Sequence, residues 1–148
     1  MTKKNEKKAK TIILTNGQLE AMAFNPAFRK AVQQPFPVKT SYWLARAMEK
    51  IERELKPFMK TMNEIMEKYA EKRLNDKTKK EEIKRRPDGM PVWGKNEEIA
   101  TAALEELRAI EVDLGIQPIK LDLEACEKMD IIPSPETFAL LMPLLEEL

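Results

Sequence analysis

A chain of 148 residues with 43% hydrophobic and 34% charged side chains holds enough apolar material for one ordinary core and no run apolar enough to span a bilayer. The absence of histidine removes the commonest general base and zinc ligand, and a single cysteine, Cys126, excludes an intramolecular disulfide. The net charge of +1 hides an uneven spread, because residues 1–96 hold 23 basic and 12 acidic side chains whereas residues 97–148 hold 3 and 13.

Residues 1–10, with five lysines and one glutamate, read as a basic flexible tail, and no apolar run follows that could form a signal-peptide core. Synthesis in the cytosol is the expectation. Thr11 to Leu14 is a short β-prone run. Thr15-Asn16-Gly17-Gln18 has the spacing of a capping box, so a helix carrying Leu19, Met22 and Ala23, with Phe24 as a further candidate, starts there. Asn25-Pro26 must interrupt it, Ala27 to Val32 adds a turn or two, and the prolines of Gln33-Gln34-Pro35-Phe36-Pro37 stiffen an extended connector.

From Thr40 the pattern is strongest. Leu44, Met48, Ile51, Leu55, Phe58, Met62, Ile65 and Tyr69 recur at alternating spacings of four and three, which is a heptad seam on one long helix. Pro57 forfeits the hydrogen bond to the Arg53 carbonyl, but the register is unshifted on both sides, which predicts a kinked yet continuous helix. Residues 71–86, with eight basic and four acidic side chains and no broad apolar face, read as a protruding, partly helical arm that runs on through the Pro87-Asp88-Gly89 turn to residue 95.

Asn96 offers an N-cap with Glu97 and Glu98 in the first turn, and the next helix shows a stripe of Ile99, Ala103, Leu107, Ile110 and Leu114 that ends at Gly115. Ile116 to Leu123 alternates as an edge strand, with Thr11 to Leu14 as its partner. Ser134-Pro135-Glu136 opens a short helix through Phe138, Leu141 and Leu145, which Pro143 bends or ends. The fold expected is mostly α, of the α+β class: an antiparallel long-helix hairpin with one short two-stranded sheet and short flanking helices. It forms a single helical-hairpin domain over 11–148, with 71–95 as a protruding basic arm or loop.

Candidate chemistry is sparse. Glu124, Glu127 and Asp130 surround Cys126 in sequence and oppose a thiolate, so Cys126 reads as a packing residue. Glu49, Glu52, Glu64, Glu67 and Glu71 share helical spacing, but a solvated flank produces the same pattern without a metal. Neither a phosphate loop nor a calcium loop is present. No catalytic residue, metal or cofactor is expected, and the chain reads as a non-enzyme. The remaining candidates are Lys79, Lys80, Lys84, Arg85, Arg86 and Trp93, a partner-binding set that joins positive charge to a ring able to stack on a base. A near-neutral total charge weighs against committed nucleic-acid binding. Tyr42 and Trp43 cannot both face the seam; core packing is the favoured role for them, and an anchor for the terminal strands or for a partner is the other.

The order of motifs resembles a known family. Its early parts are Leu14-Thr15-Asn16-Gly17-Gln18-Leu19, Pro37-Val38-Lys39 leading to Tyr42 and Leu44-Ala45-Arg46, and the Lys68-Tyr69 helix end. Its later parts are Leu104-Glu105-Glu106-Leu107, Glu111-Val112-Asp113, Pro118-Ile119-Lys120-Leu121, and Ser134-Pro135 running to Leu144-Leu145-Glu146-Glu147. Together they are similar to small proteins of unknown function encoded by tailed phages and prophages of mainly Gram-positive bacteria, among late genes for tail and lysis functions. Residues 24–34 and 71–86 are longer and more basic than that family's pattern, and Pro57 interrupts a helix the family keeps clear.

The resemblance implies a non-enzymatic late protein, a small assembly or virion-associated tail-region factor acting through protein contacts in the host cytoplasm or the virion. Its partner is then a phage structural or assembly protein, with homo-oligomers through the opposite charges as a further expectation, nucleic-acid binding weak or absent, and no membrane. The alternative is a phage-encoded regulator that engages host nucleic acid or its machinery through the basic arm. The family has no assigned catalytic residues.

Overall fold

A computed structural model describes residues 10–146. Of the basic tail expected over residues 1–10, all but Lys10 lies outside the described residues. In chain order the elements are β1 (Ile13–Thr15), α1 (Asn16–Ala23), α2 (Pro26–Val32), α3 (Val38–Tyr69), β2 (Lys72–Leu74), β3 (Glu81–Ile83), α4 (Glu97–Ala109), β4 (Glu111–Asp113), α5 (Leu123–Lys128) and α6 (Pro135–Leu141). Single 3-10 turns lie at Gly94–Asn96 and Met142–Leu144. The fold is α+β and mostly helical.

The residues expected to form one domain group into two compact units, one made of residues 1–55 with 111–148 and the other of residues 56–110. The charge asymmetry along the sequence is thereby nearly balanced within each unit. The first holds 13 basic and 14 acidic side chains and the second 13 and 11.

In the first unit the capping box forms as its spacing requires. The Gln18 amide N–H donates to Thr15 Oγ1 at 3.1 Å and the Thr15 N–H donates to Gln18 Oε1 at 2.9 Å. Asn25 Oδ1 then caps α2 by accepting from the Ala27 N–H at 3.0 Å, with Pro26 at the first helical position, where a missing donor costs nothing. Leu19, Phe28, Leu44, Ala47, Ile51, Cys126, Leu141 and Leu144 form the core, and α2 lies against α6.

The sheet of this unit corrects the sequence reading. β1 pairs antiparallel with β4, with Ile13 opposite Asp113, Leu14 opposite Val112 and Thr15 opposite Glu111; Ile116 to Leu123 is not its partner. The cause is an earlier end to α4. Ile110 is already extended (φ −63°, ψ 125°), so the chain enters the sheet directly, and Gly115 turns it only afterwards. Two further bonds prolong the ladder, Leu114 N–H to the Ile12 carbonyl (2.9 Å) and Ile12 N–H to the Ile116 carbonyl (2.8 Å). Ile119 and Leu121 are buried in alternation, but Ile116 is out of phase with them and Leu123 is 44% exposed, so the alternation expected over Ile116 to Leu123 does not run its length. The segment is held by one parallel bridge, Ile119 to Leu145, in place of a strand ladder.

α3 is a single helix of 32 residues that passes through Pro57. Its buried positions are Thr40, Leu44, Ala47, Ile51, Leu55 and Phe58, whereas Met48, Met62, Ile65 and Tyr69 are half-buried.

The second unit differs from expectation in its arm. Residues 72–83 are not helical but form an antiparallel hairpin, with Lys72 opposite Ile83, Arg73 opposite Glu82 and Leu74 opposite Glu81. Its tip has turn chemistry, since Asn75 Oδ1 accepts from the Lys77 and Thr78 amides and Lys79 sits at φ +56°. The returning chain pairs with the residues just after β3, through Val92 N–H to the Lys84 carbonyl (2.8 Å) and an Arg85–Pro91 bridge.

Asn96 does not cap α4. The 3-10 turn before it leaves its side chain free to donate to the Tyr69 carbonyl at 3.1 Å, satisfying the end of α3. The buried stripe of α4 is Ala100, Leu104 and Leu107, and Ile99, one residue out of phase with it, is 55% exposed.

Candidate functional site

Lys79, Lys80, Lys84, Arg85, Arg86 and Trp93 all lie in the arm, each with its own local setting. Lys79 and Lys80 are in the hairpin tip. Lys84 pairs with Glu71 (3.8 Å). Arg85 donates to the Gly89 carbonyl (2.9 Å), and Arg86 is held by Asp88 (2.8 Å) around the second turn. Trp93 is half-buried and precedes the 3-10 turn. Lys72 is likewise paired, with Glu67 (3.3 Å). The Met90 amide and, after it, the Arg86 guanidinium hold the Asp88 carboxyl below its usual pKa, so Asp88 stays charged and keeps Arg86 compensated. Lys77, Lys79 and Lys80 make no ion pair with another described residue.

A recess lies wholly in the first unit. It is an open groove of about 1020 Å³ between the first turns of α3 and the extended segment 115–120, with Asp122 and Ala125 also in its lining. The Pro35-Phe36-Pro37 connector positions the α3 wall. Phe36 is buried, its carbonyl accepts from Ser41 Oγ at 3.0 Å, and Ser41 N–H donates to the Pro37 carbonyl to begin the helix. Three side chains of that wall, Lys39, Trp43 and Arg46, follow one another at spacings of four and three and so share a helix face. The opposite wall is fixed from both ends, by the Ile12–Ile116 bond and by Ile119, whose N–H donates to the Leu144 carbonyl and whose carbonyl accepts from Glu146 (both 2.8 Å). This wall contributes Gln117, Pro118 and Lys120.

The aromatic pair in the first turns of α3 corrects a second expectation. Tyr42 and Trp43 do not pack in the core; they stand 52% and 42% exposed, edge to face with ring centroids 5.3 Å apart. Thr40, Leu44 and Ala47 fill the buried face of α3, which leaves Tyr42 on the opposite side and Trp43 at the flank of that face. Sequence reasoning passed over Lys39, Arg46 and Lys120. The i, i+4, i+7 spacing of Lys39, Trp43 and Arg46 was legible, but nothing in the sequence placed Lys120 opposite them.

The other candidates have structural roles. Glu49 pairs with Arg53, Glu52 with Arg29, Glu67 with Lys72 and Glu71 with Lys84. Among the described residues, no group of three or more His, Cys, Asp or Glu side chains is placed to hold a metal ion. Cys126 is buried; burial, then the Asp122 carboxylate, pushes its thiol pKa up, away from nucleophilic form. Among the described residues, no helix is long and apolar enough to cross a membrane. No protein-family model, curated protein or solved structure matches the chain.

Proposed function

We propose that this chain acts by protein contact, without chemistry of its own, as a small late-expressed factor in the assembly of a tailed-phage particle. The phage setting rests on the order of sequence motifs. The mode of action rests on one observation, the first-unit groove in which Trp43 stands exposed beside Lys39, Arg46 and Lys120, none of them in an ion pair with another described residue. Trp and Arg are among the residue types that most often anchor protein interfaces.

The test is deletion of the gene from the phage or prophage that encodes it, followed by electron microscopy of particles and a count of infectious units. Intact particles should fall while genome replication proceeds, and wild type but not Trp43→Ala should restore them. Unchanged particle yield would remove the assembly reading. The nucleic-acid alternative draws on the unpaired lysines of the arm tip, and a change in host transcription on deletion would promote it. The carboxylates that neutralise Lys72, Lys84 and Arg86 weigh against it.

A further inference from the structure

We propose that the first-unit groove docks an extended acidic segment of a partner protein, laid along Pro118–Lys120 with carboxylates toward Lys39, Arg46 and Lys120 and an apolar side chain against Trp43. The inference rests on the reading of this groove as the contact site and supplies the chemistry of what enters it. Charge is the first support. Three cations line the groove against one acid, Asp122, and one oxygen of that acid already caps α5 by accepting from the Ala125 N–H at 3.0 Å. The start of α3 adds to the positive field, because its amides carry the positive end of a 32-residue helix and its first turn has no acidic residue to offset it.

Backbone supply is the second support. Among the described residues, the Pro118 carbonyl and both backbone polar groups of Lys120 make no hydrogen bond, while Ile119 between them is committed to Leu144 and Glu146. Polar backbone groups left open on a fixed, extended segment are a template for an added strand. The floor beneath is apolar, with Ile116 and Ile119 buried. A groove of about 1020 Å³ that opens to solvent suits an extended chain better than an enclosed small molecule. A peptide is favoured over a single-stranded nucleic acid, which needs a continuous basic track and successive stacking rings. Here Trp43 is the one aromatic lining residue and Asp122 interrupts the track.

The full chain, fluorescently labelled, would be applied to an array of short random-sequence peptides graded from acidic to basic, with oligothymidylate as the nucleic-acid arm. Binding should concentrate on acidic peptides and fall as salt rises. The triple variant Lys39→Gln/Arg46→Gln/Lys120→Gln should weaken it about tenfold or more, the equivalent of ~1.4 kcal/mol. Trp43→Ala should weaken it as well, and Lys77→Gln/Lys79→Gln/Lys80→Gln in the arm should leave it unchanged. All three groove cations are exposed, so the triple variant should keep its circular dichroism and melting temperature.

Binding indifferent to peptide charge, equal loss from the arm variant, or tighter capture of oligothymidylate would each overturn the proposal. Failure to bind acidic peptides beside a particle defect on gene deletion would remove the partner chemistry and leave the assembly reading standing. Acidic-peptide binding without a particle defect would do the reverse.

Discussion

Gly94 sits at the foot of the arm with φ +57°, and a Cβ built there would fall on the Glu71 carboxylate. Gly94→Ala therefore carries two costs. The left-handed backbone disfavours any L side chain by about 1–2 kcal/mol. The Glu71 side chain must also swing away and release Lys84; both partners are about half exposed, so this pair contributes only about 0–1 kcal/mol. The sum is about 1–3 kcal/mol. Gly89, at φ +85°, has nothing within 4 Å of such a Cβ, so Gly89→Ala carries the backbone cost alone, about 1–2 kcal/mol. Urea unfolding followed by the fluorescence of the neighbouring Trp93, in a Trp43→Phe background, measures both. The excess of Gly94→Ala over Gly89→Ala should disappear when Glu71→Ala is added, because the obstructing carboxylate is gone while the Glu71 backbone bonds to Val92 and Lys84 remain. An excess that survives Glu71→Ala, or a Gly89 variant that loses more than the Gly94 variant, would refute this account of the arm's foot.

Pro57→Ala should raise stability, since Pro57 is exposed within α3 and alanine restores a donor for the Arg53 carbonyl. The helix preference of about 3 kcal/mol, less about 1 kcal/mol for the freer unfolded chain, leaves up to ~2 kcal/mol. Thermal unfolding should then shift upward by several degrees, and a downward shift would show that the ring is part of the packing. The Asp113 carboxyl lies below its ordinary pKa of 3.8, first because the Gly115 amide donates to Oδ1 at 2.8 Å and second through the Thr11 side chain. A depressed carboxylate stabilises the fold above the unfolded pKa and loses that contribution as pH falls through the folded value. The stability gap between wild type and Asp113→Asn should therefore be constant above about pH 5 and narrow below 3.8. A gap that does not change with pH would show that the carboxylate's charge contributes nothing.

Local signals in the sequence determined most of the helices. Thr15 and Gln18, Asn25 before Pro26, and Ser134 before Pro135 act over three residues or fewer, so caps and breaks could be placed without knowing the fold. The long helix was equally legible, because a seam repeated over eight positions outweighs one proline. Tertiary structure decided what had two local solutions. Ile110 to Leu114 can continue a helix stripe or alternate as a strand, and pairing with β1 selected the strand. Asn96 can cap forward or reach back, and the open carbonyl of Tyr69 drew it back. Residues 72–83 have neither a 3.6 nor a clean 2.0 periodicity, and only cross-strand bonds with Glu81 to Ile83 make them a hairpin. The candidate site divides the same way. Helical spacing alone puts Lys39, Trp43 and Arg46 on one face, but Lys120 is more than 70 residues away in sequence and reaches that groove only because the Ile12–Ile116 and Ile119–Leu144 bonds hold its segment there. A contact between distant stretches leaves no periodic mark in either of them.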